Sequence, residues 1–232
     1  MNLPFKVDLE GKIAVVTGGA GVLCSAIGEA LAKCGAKVAL VDRNLEKAQE
    51  LAKEMSDSGL CVKGYAADVL NREALEKCNE EITKDFGTCD ILVNGAGGNN
   101  SKATTDDEEF DKTKEGITTF FDLEASGVEF VFHLNYLGTL LPTQVFAKDM
   151  ANKEGCSILN IFSMNAFTPL TKIPAYSGAK AAVSNFTQWL ATYFAKAGIR
   201  CNAIAPGFFA TEQNRSLLFN EDGSPTPRTD KI

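Results

Sequence analysis

Six short runs rich in apolar and β-branched residues recur along this chain, at 12–17, 37–41, 61–66, 91–94, 157–162 and 200–205. Segments of helical period separate them, most clearly at 25–34, 45–56 and 72–85. That alternation constrains the fold more than any single residue does. Strands that are each followed by a helix pair in parallel, through right-handed crossovers that cover both faces of the sheet. Gly35, Gly59 and Gly87 stand where helix C-caps are expected. No internal repeat or Pro/Gly-rich linker breaks the 232 residues. The reading is therefore one α/β domain, 1–232, with a doubly wound parallel sheet and helices on both faces. Two stretches depart from the alternation. Residues 101–129 are long, polar and acidic, a substrate-side insertion of the kind that is functional or mobile. Residues 207–232, with Gly223, Pro225 and Pro227, read as a mobile lid or tail.

Composition removes several classes of function. A net charge of -7 argues against nucleic acid or an anionic membrane as the main partner, and no apolar run is long enough to span a bilayer. His133 is the single histidine, so zinc sites and Ser-His-Asp triads lack their usual members, and no metal is expected. His133 itself reads as a helix-surface or packing residue. The seven cysteines form no C-x-x-C pair and read as reduced thiols of a cytoplasmic protein.

The first strand runs into Thr17-Gly-Gly-Ala-Gly-Val-Leu-Cys24, which opens the first helix. Glycines there, Gly18 and Gly21 above all, let backbone N–H groups of the turn and of Val22 and Leu23 approach a pyrophosphate at a positive helix terminus. This is a Rossmann-type signal, although such a turn can also be no more than tight. Asp42 ends the second strand, where a carboxylate can hold adenosine ribose hydroxyls and repel a 2′-phosphate. That favours NAD. Arg43 beside it could accept such a phosphate or stack on adenine, so NADP stays open.

Further along stands Tyr176-Ser-Gly-Ala-Lys180, with Ser163 upstream. Residues at i and i+4 share a helix face, and an ammonium beside a phenol is expected to lower its pKa from about 10. Such a phenol exchanges a proton with a carbonyl oxygen near neutral pH, while the Ser163 hydroxyl holds that oxygen. The same spacing also arises by chance on amphipathic helices.

Taken together these residues resemble the short-chain dehydrogenase/reductase family, from about residue 9 to 211. Asn94-Gly-Ala-Gly97 is similar to its Asn-Asn-Ala-Gly turn, and Asp68-Val69 to its adenine-contacting pair. Asn135, on a helix read as 130–146, matches the anchor of a water-mediated proton relay, and Ser163, Tyr176 and Lys180 match the other catalytic positions. Pro206-Gly207 and Thr211 resemble the segment that holds the nicotinamide carboxamide. The resemblance implies Tyr176 as proton donor or acceptor, Ser163 as carbonyl holder and Lys180 as phenol tuner and ribose anchor. It also implies that Asn94, Ala96 and Gly97 line the cofactor. Val22 and Cys24 depart from the family's Thr-Gly-x-x-x-Gly-x-Gly turn, where glycines stand. The family also continues through a further helix and a seventh strand, which this sequence does not display. The chain therefore reads as shortened or incompletely represented, with 200–205 as an open edge.

Within the family, the closer resemblance is to the D-mannonate oxidoreductases (fructuronate reductases) of the short-chain type. It rests on the variant glycine turn, Gly97-Gly-Asn-Asn100, Lys102-Ala-Thr-Thr105, Ser163-Met-Asn-Ala-Phe-Thr-Pro169 and Pro206-Gly-Phe-Phe209. It implies reduction of D-fructuronate by NADH to D-mannonate. Asn99, Asn100, Lys102, Asn165, Lys172 and Arg215, with Ser163, could supply the donors that a polyhydroxy acid requires. Asn99-Asn100 could equally be a turn, and Lys102 or Lys172 a solvated charge. A gluconate-type relative and a catalytically idle nucleotide binder are the competing readings. Phe186, Trp189, Leu190, Tyr193 and Phe194 give helix 179–195 more apolar surface than one sheet face uses. A homodimer or homotetramer is expected, as in the family, unless those rings fill the monomer's core.

Overall fold

All five residues of β1 (Ile13–Thr17) are buried, so this strand needs cover on both faces and neighbours on both edges. The chain supplies both. The computed structural model describes residues 7–151, 153–207, 215–226 and 229. In it β1 lies between β2 (Lys37–Asp42) and β4 (Ile91–Asn94), within a six-stranded sheet completed by β3 (Val62–Ala66), β5 (Ser157–Ile161) and β6 (Arg200–Ile204). The order is β3-β2-β1-β4-β5-β6 and every pairing is parallel. After β3 the chain crosses back over β1, so the turns leaving β1 and β4 diverge and open a crevice at the carboxyl ends of the strands. Among the described residues no strand lies beyond β6, which is one edge of the sheet.

Helices α1 (Val22–Lys33) and α2 (Leu45–Asp57) cover one face. Cys24, Ala32 and Ala52 pack there against Val16, Val38, Leu40, Val93 and Ile161. Helix α3 (Arg72–Asp85) and the later α5 (Gly138–Met150) and α6 (Pro174–Tyr193) cover the other, where Leu75, Ile82, Phe146, Met150 and Leu190 meet Val15, Val41, Leu92 and Ile158. Burying about ten such side chains at ~2 kcal/mol each is the main force that closes each layer. Asn44 and Asn71 accept from Lys47 N and Ala74 N and so fix the starts of α2 and α3. Gly35, Gly59 and Gly87 all hold positive φ just past helix ends.

Elsewhere the structure departs from the sequence reading. The helix expected at 130–146 begins earlier, as α4 (Ala125–Phe132), which takes the last residues of the insertion. A π-turn over His133–Leu137 then leads into α5. Helix α6 begins at Pro174, not 179, because proline is suited to the first helical turn. Beyond β6, α7 (Arg215–Leu218) precedes a bridge between Phe219 and Pro225, so part of the presumed tail is locally ordered. The seven cysteines are all free thiols.

A buried ladder of side chains ties the sheet to the helices behind the crevice. Asn94 Nδ2 donates to Thr143 Oγ1 and to Asn160 Oδ1, both at 2.9 Å, and Asn160 Nδ2 donates to Thr187 Oγ1 at 2.9 Å. Thr143 donates on to the carbonyl of Thr139, whose own hydroxyl donates to the carbonyl of Asn135. Each of these residues is buried, where an unmade hydrogen bond costs about 1–3 kcal/mol.

Candidate active site

The first turn is built for close approach. Gly18 has φ +66°, and a Cβ there would lie 2.9 Å from Ala96 N, so the turns leaving β1 and β4 touch through their backbones. A Cβ on Gly19 would lie 2.9 Å from Leu40 Cα. Gly21 precedes α1 with no side-chain cap, and the first turn of α1 holds no acidic residue. The helix terminus therefore keeps its positive end open to an anion. Val22 is exposed, Leu23 half-buried and Cys24 buried. Asp42 Oδ2 accepts from Ala20 N at 3.1 Å, which holds the carboxylate against the same turn, and Arg43 beside it is exposed. Asp68 accepts from Leu70 N, and the Val69 side chain closely faces Gly138.

At the other end of the crevice the catalytic candidates converge. Asn135 sits in the π-turn, fully buried, and clamps Gly98: Nδ2 donates to Gly98 O at 2.7 Å and Oδ1 accepts from Gly98 N at 3.3 Å. π-Turns recur at functional sites because they re-aim a side chain out of helical register. A Cβ on Gly97 would lie 2.7 Å from Asn135 Oδ1 and 3.1 Å from Lys180 Nζ. Amide and ammonium thus meet at one glycine, where backbone alone leaves room. Lys180 Nζ donates to Ile161 O at 3.0 Å and stands 5.6 Å from the Tyr176 ring centroid. Ser163, two residues past β5, accepts from Asn165 N, and its hydroxyl lies close enough to the Tyr176 phenol to lower the phenol's pKa in part.

The electrostatics correct one expectation. The Tyr176 hydroxyl is not drawn down by Lys180. Burial raises its pKa, and the Ser163 hydroxyl offsets that in part. The ammonium lies over the ring face, a cation–π position, and donates to a carbonyl. Burial in turn lowers Lys180 to about 8.

The remaining candidates scatter. Asn99 Nδ2 donates to Thr104 Oγ1, while its buried Oδ1 has no protein partner. Asn100 caps the short turn at Ser101–Ala103, and Asn165 is buried beside Ser163. Lys102 is paired with Glu124 at 2.8 Å. Lys172 takes φ +74°, and its carbonyl accepts from Thr105 N, which ties the insertion to the loop before Tyr176. Arg215 is exposed at the start of α7. Pro206 and Gly207 follow β6, whereas Thr211 lies outside the described residues. Thr17 was not singled out from the sequence, yet its hydroxyl accepts from Gly95 N at 3.1 Å and pins the two turns together. Thr139 and Thr143 were missed too, though hydroxyls at i and i+4 on a helix face otherwise buried are a readable signal. Among the described residues no cluster of His, Cys, Asp and Glu could hold a metal.

Fold and site together define a dinucleotide-binding protein with Ser163, Tyr176 and Lys180 gathered at its switch point. The open, uncapped start of α1 after Gly21, with no acidic residue in its first turn, fits such a cofactor's pyrophosphate. The chain belongs to the short chain dehydrogenases, whose sequence pattern matches residues 12–222. It is 60% identical to an uncharacterized oxidoreductase of Haemophilus influenzae, over 100% of this chain and 82% of that one. It is 48% identical to the uncharacterized oxidoreductase UxuB of Bacillus subtilis, over 99% of this chain and 82% of that one. A crystal structure from Haemophilus, described provisionally as a D-mannonate oxidoreductase with bound NAD, superposes with a TM-score of 0.93 at 60% identity. It covers 97% of this chain and 80% of that one.

Proposed function

We propose that this chain reduces a keto sugar acid with NADH, most specifically D-fructuronate to D-mannonate, and runs the reverse oxidation with NAD. The observation that carries the reading is the meeting of Asn135 Oδ1 and Lys180 Nζ at Gly97, with the Ser163 hydroxyl near the Tyr176 phenol. The name and bound NAD of the Haemophilus neighbour support it. Bound nicotinamide supplies or accepts the hydride at the carbonyl carbon. The chain's own residues do the rest. Ser163 holds the substrate oxygen, and Tyr176 gives it a proton as the C=O bond becomes C–OH. Its raised pKa keeps the phenol protonated, as a donor must be. Lys180 and Asn135 re-supply that proton through water and hold the ribose side.

Gly18, Gly21, Val22 and Leu23 seat the pyrophosphate. Asp42 takes the adenosine ribose and selects against a 2′-phosphate, with Arg43 alongside. Asp68 and Val69 flank the adenine, and Asn94, Ala96 and Gly97 the nicotinamide side, which Pro206, Gly207 and Thr211 close. Asn99, Asn100 and Asn165 bind substrate hydroxyls, and at least one of Lys102, Lys172 and Arg215 binds the carboxylate. Of the three, Lys102 must first leave Glu124. Residues 101–129 wall the substrate side.

The acting form is a homodimer or homotetramer in the cytoplasm. Trp189 and Tyr193, 54% and 66% exposed, stack on α6 beside the half-buried Phe186 and Phe194, more apolar surface than a lone protomer leaves wet. No helix among the described residues could cross a membrane. Oxidation of NADH against a panel of keto sugar acids tests the reading. Turnover of fructuronate above the others is the expected result. Binding of NADH with turnover of none would refute it in favour of an idle nucleotide binder.

A further inference from the structure

We propose that Cys24 and Gly95 act as one exchanged pair that sets the height of the 95–97 turn, which makes Cys24 a positioning residue for the nicotinamide side of the cofactor. A Cβ built on Gly95 would overlap the Cys24 sulfur outright, and would lie 3.1 Å from Thr17 O and 3.5 Å from Ile161 Cγ1. Positions 24 and 95 therefore share a single volume: whichever carries a side chain obliges the other to be glycine. In the family patterns this sequence resembles, glycine stands at the end of the first turn and asparagine follows the first asparagine of the later one. Here the order is inverted, and the filling comes from α1 instead of from the turn after β4. The departure at Cys24 is thus answered by a second departure 71 residues away (95 − 24), at Gly95.

What the thiol fills decides what it positions. Cys24 is 4% exposed and packs in the same cluster as Val16, Val93 and Ile161. Ile161 gives its carbonyl to the Lys180 ammonium. Gly95 is pinned from the other side by the Thr17 hydroxyl, and two residues on Gly97 faces Asn135 and Lys180. The sulfur therefore stands under the backbone that separates the pyrophosphate turn from the proton-transfer residues. It is also within electrostatic reach of both Asp42 and Lys180, at opposite ends of the crevice. A side chain added at 95 above Cys24 must lift the 95–97 turn, and with it the seat of the nicotinamide ribose.

This inference rests on the proposed use of NADH, and a double-mutant cycle separates the two. The proteins are the wild type, Gly95→Ala, Cys24→Gly and Cys24→Gly/Gly95→Ala. Each is titrated by fluorescence with NADH and with AMP at a temperature where all are folded, and each is melted without ligand. We expect G95A to weaken NADH at least about tenfold and AMP, which engages only the Asp42 end, less than about twofold. C24G alone, which empties the volume beneath the turn, should weaken NADH about threefold or more and AMP less than about twofold, and the double variant should return to within about threefold of wild type. A merely structural clash would weaken both nucleotides alike. Equal loss of AMP and NADH in G95A, or no relief of its loss by C24G, overturns the pairing. If G95A does not fold, recovery of a folded, NADH-binding double variant supports the pairing and its absence overturns it. A wild type that binds no NADH overturns the proposed function, and the positioning role falls with it.

Discussion

Replacing Lys180 with methionine should abolish turnover and yet stabilise the protein at neutral pH. Lys180 is 4% exposed, and burial lowers its pKa from 10.5 to about 8. A base whose pKa is lowered by folding is costly to keep charged in the folded state. At pH 7 both folded and unfolded chains hold the proton, and the cost is present almost in full, about 3 kcal/mol at ~1.4 kcal/mol per factor of ten. Methionine removes that cost but leaves the Ile161 carbonyl without its donor, a loss of about 1 kcal/mol. The net gain is about 2 kcal/mol. As pH rises through 8 the folded chain loses its proton first, and by pH 10 the charge cost shrinks to roughly 1 kcal/mol, so the two proteins become nearly equal in stability. Urea unfolding of both proteins under reducing conditions, at pH 7 and pH 10, measures the difference. A gap that does not change with pH, or a Lys180→Met protein less stable at pH 7, would refute the reasoning from burial.

Three other outcomes follow from the same geometry. Gly97→Ala should cost at least about a hundredfold in turnover with a melting temperature within a few degrees of wild type, because its Cβ meets Asn135 Oδ1 and Lys180 Nζ; steady-state NADH oxidation beside thermal melting checks this. Asp42→Ala should weaken NADH about tenfold or more and raise the NADPH-to-NADH preference, since it removes both the ribose acceptor and the bond to Ala20 N; fluorescence titration with both nucleotides reads it. Lys172→Gly relieves φ +74° and should stabilise by roughly 0.5 kcal/mol, strain relief less the glycine's unfolded entropy. It should also raise KM for the keto acid more than it lowers kcat, and an unchanged KM would remove Lys172 from the carboxylate site.

Much of the fold was legible because its signals are local. The helix at Arg72–Asp85 and the strand at Ile91–Asn94 match the periodicity to the residue, each bounded by its own cap or turn. Residues 101–124 were not legible, since they lack period and are held by local side-chain bonds, such as Asp106 to Thr118 N and Thr119 to Asp122. The π-turn leaves no mark in sequence because one inserted residue changes backbone pairing without changing hydrophobic period. The grouping of Ser163, Tyr176 and Lys180 was readable by spacing, but its electrostatics were not. The i, i+4 spacing brings Lys180 near Tyr176 without saying whether the ammonium meets the oxygen or the ring face, and the structure has it over the ring. Contacts between distant positions, Cys24 with Gly95 and Asn94 with Asn160, were beyond any local window.

The Asn–Thr ladder behind the crevice has a consequence for how such a protein can be altered. It locks β4 and β5 to α5 and α6, and through the Asn135 carbonyl it reaches the π-turn, all without touching the loops at 99–124 or 164–173. Asn135 is thereby held from behind by the sheet and its helices, whereas Ser163 is tied through Asn165 N to the 164–173 loop. Under the proposed function, the 99–124 segment could be exchanged to suit a different acid with the Asn135 backbone still anchored, whereas even a conservative change within the ladder would shift that anchor for every substrate at once.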